Sequence, residues 1–312
     1  MTIFQTLLEL NTRDGVTPTF NTEIFELISK QIGFGLYRNQ EDLTKARDII
    51  VSDLEEYSKV NNKNTVVLGM SGGIDSALTA SLFKSAGYNV IGMTLPIHQD
   101  PAETARGIEA CEALGIDHIQ KDLSDIFDYV SKNLDTFDES QPDKVRQGNI
   151  RARLRMITLY NMAAKHRGFV ASTDNFSELA AGFWTLHGDV GDVAPIQSLT
   201  KSWEVPNLAL IQNIPNSIIQ AKPTDGLGVA NGDEDQFGFS YMEFDAILFA
   251  LIRNIDFSQN LPDTNNLVEA VKKRIASTSF KRFNPTNLEH PLEGITRYNE
   301  LEFYDKSTQI GD

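Results

Sequence analysis

Apolar and polar positions along this chain follow two different periods, and the change between them divides it. Residues 1–60 read as mostly helical, with a turn-rich break around Asn11 to Thr22. Glu41 to Tyr57 sets charged against apolar positions at helical spacing, which predicts a helix there. At Thr65 the pattern switches. Thr-Val-Val-Leu-Gly is a short β-rich apolar run, as expected of a buried parallel strand. A glycine-rich loop follows, then a helix from about Ser76 to Ala86, closed by Gly87. A second strand over Asn89 to Leu95 leads to a helix over about Ala102 to Leu114, ending at Gly115. A third strand is expected over His118 to Leu123, helices from Ser124 and from about Gly148, and a fourth strand over Phe169 to Ser172.

This rhythm predicts an α/β fold, a doubly wound parallel sheet with helices on both faces. After Thr173 the regularity fades. Residues 183–201 and 221–238 are rich in Gly, Asp and Pro and read as lid loops. Two more helices are expected, near Ser240 to Ile252 and Asn265 to Ser277, before a polar, irregular tail from Phe280. The expected organisation is a helical extension over 1–60, the α/β unit over 61–285 and a tail over 286–312.

Composition narrows the function classes. A chain of 312 residues buries enough surface to fold without disulfides or a structural metal. The 28 Lys and Arg against 43 Asp and Glu give a net charge of −15, which argues against nucleic acid or an anionic membrane as partner. An anionic small ligand stays open, because a pocket can be basic within an acidic protein. Cys111 is the only cysteine, so neither an intrachain disulfide nor a multi-cysteine metal site can form. Without a signal-peptide pattern or a long apolar run, the expectation is a soluble, cytoplasmic protein.

The most informative segment is Gly69-Met70-Ser71-Gly72-Gly73-Ile74-Asp75-Ser76, between the first strand and its helix. Ligands bind at the carboxyl ends of strands in open α/β sheets. Glycines let backbone N–H groups approach a phosphate closely, and the start of the following helix adds free amides and a positive dipole end. Asp75 would repel a bare phosphate, so its carboxylate makes sense as a ligand of Mg²⁺ bridging to a polyphosphate. The segment is neither a Walker loop nor GxGxxG. Gly69, Ser71 and Gly73 do match the Gly-x-Ser-x-Gly elbow of serine hydrolases, but several strands usually precede that elbow, and it gives no role to Asp75 or Ser76. Two adjacent glycines after a strand can also be a plain packing turn.

Ser-Gly-Gly-Ile-Asp-Ser resembles the loop of the N-type ATP pyrophosphatases, which activate a carbonyl by adenylation and release pyrophosphate. Motifs further along resemble the NAD synthetases among them. Asn149 to Met156 is similar to their NxxARxRM helix, and the resemblance puts Arg153 at the dinucleotide substrate. On its own, any one of these arginines reads as a solvated helix surface. Ser172 to Glu178 resembles the GTDHxxE segment, with Asn175 in place of His. It implies Thr173 at ATP and Glu178 opposite Asp75 on Mg²⁺, although Thr173 to Glu178 reads equally as a capped helix start. Gly182 to Ile196 resembles GxxTxxGDxxxDxxPL, which implies Asp192 at the nicotinate dinucleotide. Leu199-Thr200-Lys201 is similar to the triplet whose lysine meets ATP phosphates. Lys222-Pro223-Thr224 implies Thr224 near ATP. Phe280-Lys281-Arg282 stands where many members carry His-Lys-Arg and implies Phe280 and Lys281 on the substrate side.

The resemblance runs from about Thr65 to Arg282. It implies an ammonia-dependent ligase that uses ATP and Mg²⁺ to amidate deamido-NAD, yielding NAD, AMP and pyrophosphate. Asp75, Glu178 and Lys201 would carry the chemistry, in a homodimer. With about 60 residues before the pattern and Cys111 inside it, no intrinsic glutaminase domain is expected. Leu186, where ammonia-dependent members often have a lysine, Asn175 and Phe280 depart from the family pattern. An ATP pyrophosphatase with another acceptor is the alternative.

Overall fold

The computed structural model describes residues 2–18, 20, 22–32, 35–134, 144–222, 234, 238–255 and 264–282. Among these residues, four strands form one parallel sheet: β1 Thr65–Gly69, β2 Asn89–Thr94, β3 Asp117–Gln120 and β4 Phe169–Val170, in the order β3-β2-β1-β4. The first four residues of β1 are buried, as expected of a central strand covered on both faces. Strand order reverses next to β1, because the chain leaves to β2 on one side and returns to β4 on the other. Such a switch point opens a crevice at the carboxyl ends of the strands.

Helices α1 Ile3–Asn11, α2 Thr22–Ile32 and α3 Gln40–Asn61 precede the sheet. Helices α4 Ile74–Ser85, α5 Pro101–Leu114, α6 Ser124–Leu134 and α7 Lys144–Lys165 join its strands. After β4 come α8 Phe176–Ala181, α9 Glu204–Ile211, α10 Asn216–Ile219, α11 Tyr241–Ile252 and α12 Thr264–Ser277. Three apolar clusters result. Leu43 and Leu54 of α3, the buried face of α4 and Leu208 of α9 cover one face of the sheet with Val66 and Leu68. Phe127 of α6 and Met156, Leu159 and Ala163 of α7 cover the other with Val67, Ile91 and Met93. A third cluster packs Leu7, Ile24 and Ile28 of α1 and α2 against Trp203, Phe244 and Ile247.

Several boundaries match the sequence expectation because local chemistry sets them. Gly115 takes a left-handed φ of 58° after α5, and Asp100 caps that helix with Pro101 at its first turn. Ser240 caps α11 through a capping box with Glu243. Gly87 closes α4 as expected: it follows the cap residue Ala86 at φ +79°, its amide donates to the Lys84 carbonyl and that of Tyr88 to the Phe83 carbonyl.

Other expectations need correction. The third and fourth strands are shorter than their apolar runs, because the sheet neighbour pairs only with Asp117–Gln120 and Phe169–Val170. On α7 the apolar spacing of Ile150, Leu154 and Ile157 is only partly turned inward: Ile150 and Leu154 pack, half-buried, against the cluster of Val67, Ile91 and Met93. Gly148, Ala152, Met156, Leu159 and Ala163 are the buried residues of this helix, and Ile157 stands 66% exposed. The residues after Thr173 hold α8, whose capped start the sequence allowed, and also α9 and α10, which lie between the two expected loops and were not expected. Most of the expected loop 221–238 and the tail 286–312 lie outside the described residues.

Candidate functional site

A cavity of about 510 Å³ opens over the carboxyl ends of the sheet, and the whole loop Gly69–Ser76 lines it. Gly72 takes φ +85°, and a Cβ placed there would lie 2.3 Å from the Glu103 carbonyl oxygen. Only glycine satisfies both the backbone angle and this close approach. No side chain caps α4 after Gly73, so its first amides stay available to a ligand. Gly72→Ala should therefore distort the loop and raise the KM for ATP by about 5–150-fold, from a backbone cost of about 1–3 kcal/mol. An unchanged KM would show that the loop does not grip the nucleotide.

Three charged side chains from distant parts of the chain meet at the mouth of this loop. Lys201 Nζ pairs with Asp75 Oδ2 and lies 3.5 Å from Glu178 Oε1. Asn175 Nδ2 donates to Asp75 Oδ1 at 3.0 Å. Asn175 also caps α8 in a capping box with Glu178, so the helix-start reading of this segment holds too. The cap places Glu178 in the first turn of α8, where its carboxylate faces Lys201. Where the family pattern has His, Asn175 still supplies an N–H donor to the aspartate.

The remaining sequence-derived residues divide into two groups. Thr173 and Lys281 line the cavity. Lys281 Nζ donates to the carbonyls of Gly182, at 2.8 Å, and Trp184, at 2.5 Å. Arg153, Asp192 and Phe280 do not line it. Arg153 donates to the Leu186 carbonyl at 3.2 Å from the exposed face of α7. Asp192 accepts from Tyr160 Oη at 2.8 Å and from the Val170 amide at 2.9 Å, which ties the following loop to β4. Phe280 is 60% exposed. Thr224 lies outside the described residues.

Sequence reasoning gave no role to Arg155, Asp189, Lys222 and Arg274, which also line the cavity. Arg155 donates to the Leu95 carbonyl at 3.1 Å and to Gln99 at 2.9 Å, fixing the rim beyond β2. Burial raises the Asp189 carboxyl above its ordinary range, against the opposing hydrogen bond from the Thr185 amide at 2.6 Å. Burial lowers the Lys281 ammonium, helped by Arg274 and opposed by Asp189. Helical geometry puts Arg151 and Arg155 on one side of α7 and Arg153 on the other, and of the three only Arg155 lines the cavity. Nothing local marks Arg274. No histidine lines the cavity among the described residues, so Ser71 there lacks the base that a hydrolase elbow needs. Its hydroxyl lies instead 3.2 Å from that of Ser76. Phe183 and Trp184 line the cavity, whereas Phe176 packs into the third apolar cluster. Cys111 is buried in the first apolar cluster, its thiol pushed up to about 12 by burial, and is chemically quiet.

Behind the site, burial pushes the Asp245 carboxyl up to about 6. The folded chain therefore holds this proton more tightly than the unfolded chain. Its contribution to stability is largest below about pH 4 and is lost as pH rises to about 6. Relative to Asp245→Asn, the wild type should lose up to about 3 kcal/mol between these values. Urea unfolding of both proteins at about pH 4.5 and about pH 7 checks this. Parallel pH profiles would refute it.

A parallel sheet with a glycine cradle at its switch point, and two carboxylates and a lysine at the mouth, defines a doubly wound α/β protein with a ligand cavity at the carboxyl ends of its strands. The NAD synthase family pattern matches residues 47–285, and the chain belongs to that family. It is 35% identical over 253 residues to the NH(3)-dependent NAD(+) synthetase of Thermococcus sibiricus, covering 78% of this chain and 96% of that relative. Among solved structures, the NH3-dependent NAD synthetase of Campylobacter jejuni superimposes with a TM-score of 0.65 at 31% identity, covering 79% of this chain and 99% of that one. The NMN synthetase of Francisella tularensis superimposes with a TM-score of 0.68 at 27% identity, covering 77% and 95%. Among the described residues, no helix is long and apolar enough to cross a membrane.

Proposed function

We infer that this protein is an ammonia-dependent NAD synthetase, a ligase that forms a C–N bond. It converts deamido-NAD, ATP and ammonia to NAD, AMP and pyrophosphate. The meeting of Asp75, Glu178 and Lys201 at the open end of the Gly69–Ser76 loop carries this reading.

A carboxylate resists attack by ammonia, because it is anionic and has no leaving group. Adenylation by ATP removes both obstacles and expels pyrophosphate. The loop amides and the Ser71 and Ser76 hydroxyls hold the departing phosphates, with Thr173 and Thr224 on the nucleotide. Lys201 offsets the charge that grows on them. Asp75 and Glu178 are the metal ligands in this reading. Two carboxylates would suit Mg²⁺, which is bound through one or two carboxylates plus phosphates and waters and needs no all-protein cage. When bound, Mg²⁺ supplies positive charge to the polyphosphate. Arg153, Asp192, Phe280 and Lys281 serve the dinucleotide. Alignment of two anionic substrates and exclusion of water from the adenylate supply the rest of the rate.

A second copy of the chain completes the unit. Ile157 and Tyr160 of α7 are 66% and 40% exposed, on the helix that carries Arg153, and the Tyr160 hydroxyl donates to Asp192. The enzyme works in the cytoplasm.

The test supplies ATP, Mg²⁺, ammonium and deamido-NAD and follows NAD and AMP. Equimolar formation of both is expected, and glutamine should not replace ammonium. Nicotinate mononucleotide serves as a rival acceptor in a parallel reaction. Faster turnover of the mononucleotide would overturn the choice of substrate, and AMP release without any amide product would overturn the reaction.

A further inference from the structure

Asp245 sits on α11, 1% exposed, and is absent from the lining of the cavity. Its two oxygens nevertheless reach the turn that carries Lys201. Oδ1 accepts the Ser177 hydroxyl, and the Ser177 oxygen accepts the Lys201 amide at 2.9 Å. Oδ2 accepts the Ser202 amide directly at 2.8 Å. Two successive amides of one turn are thus tied to a single buried carboxylate, one of them through a hydroxyl. Ser177 lies in the first turn of α8, immediately before Glu178. The same carboxylate therefore fixes the start of α8 and the turn of Lys201 relative to each other.

The opposite side of the turn is also held. Asn11 Nδ2 donates to the Ser202 carbonyl at 2.8 Å, and Trp203 Nε1 donates to the Arg38 carbonyl at 2.9 Å. Both partners precede residue 47, where the family match begins. A charge buried this deeply is expensive, and the site bears that cost only where the carboxylate's hydrogen bonds repay it. An apolar residue would fill the same space but would leave the Ser202 amide and the Ser177 hydroxyl without acceptors.

We propose that Asp245, acting through Ser177 and the Ser202 amide, is a positioning residue that sets where the Lys201 ammonium stands between Asp75 and Glu178. The proposal rests on the synthetase reading, in which Lys201 faces the phosphates. Asp245 does not touch substrate. Its effect on turnover passes entirely through Lys201.

Asp245→Asn and Ser177→Ala test this, each alone and combined with Lys201→Ala, in the full chain with ATP, Mg²⁺, ammonium and deamido-NAD. Asparagine keeps the shape but replaces one of the two acceptor oxygens with a donor. A displacement of about 1 Å at a catalytic group can cost about 100-fold. Asp245→Asn is expected to lower kcat by about 10–100-fold, leaving the KM for ammonium within about twofold. In the Lys201→Ala background, where there is no ammonium left to position, the same change should alter kcat by less than about twofold. Losses that multiply in the double variant would show a general structural role and overturn the proposal. So would wild-type kcat in Asp245→Asn. If Asp245→Asn does not fold, the Ser177→Ala cycle is read by the same criteria, since it removes the hydroxyl link but keeps the Ser202 bond. Wild-type NAD formation in the same assay separates the two failures. No NAD from the wild type defeats the synthetase reading, whereas NAD from the wild type with multiplying losses defeats only the role of Asp245.

Discussion

Lys201→Ala should lower kcat by about 100–1,000-fold, the range expected when one charge-stabilising group is lost from a water-excluded site. Lys201 is only 6% exposed, paired with Asp75 and within 3.5 Å of Glu178. Alanine leaves two carboxylates facing each other, 15% and 14% exposed, without the ammonium between them. Like charges at this range repel, so the thermal midpoint should also fall, and Mg²⁺ should restore more of it than in the wild type. The rate measurement is single-turnover formation of AMP at saturating ATP and Mg²⁺, with calorimetry for the stability. A kcat within about threefold of wild type would remove Lys201 from the chemistry.

Asp75→Asn should cost a similar factor for a different reason. The amide is nearly isosteric with the carboxylate and can still accept the hydrogen bond from Asn175. Its NH2 would then face Lys201 Nζ, donor against donor, and one negative charge is gone. The fold should survive, because Glu178 still pairs with Lys201 and the loop backbone is untouched. The apparent affinity for Mg²⁺ should drop, so that activity recovers only partly as Mg²⁺ is raised. Near-normal turnover at ordinary Mg²⁺ concentrations, with an intact thermal transition, would overturn the assignment of Asp75 to the metal.

These two outcomes depend on one cluster whose members lie far apart in sequence. The loop Gly69–Ser76 was legible at once, because a β-rich apolar run, clustered glycines and a helix start are all local features. Glu178 and Lys201 were legible only as resemblance. Nothing in the residues between them states that 126 positions of chain bring Lys201 back to Asp75. Asn175 looked like a departure from a pattern, and the structure shows an amide donating to Asp75 in its place. Arg155, Lys222 and Arg274 were missed because their neighbours in the cavity come from other elements.

The sequence alone determined the strand–helix rhythm, the parallel sheet and the glycine-rich loop after β1. Each follows from the spacing of apolar residues or from the backbone freedom of glycine over a few positions. Tertiary structure decided which face of α7 turns inward and that α1 and α2 share an apolar cluster with α11. It also decided that a buried aspartate on α11 holds the turn bearing Lys201. Those outcomes depend on pairings between segments tens to hundreds of residues apart. The free energy that selects such pairings comes from mutual burial and hydrogen bonding, which no local window of sequence contains.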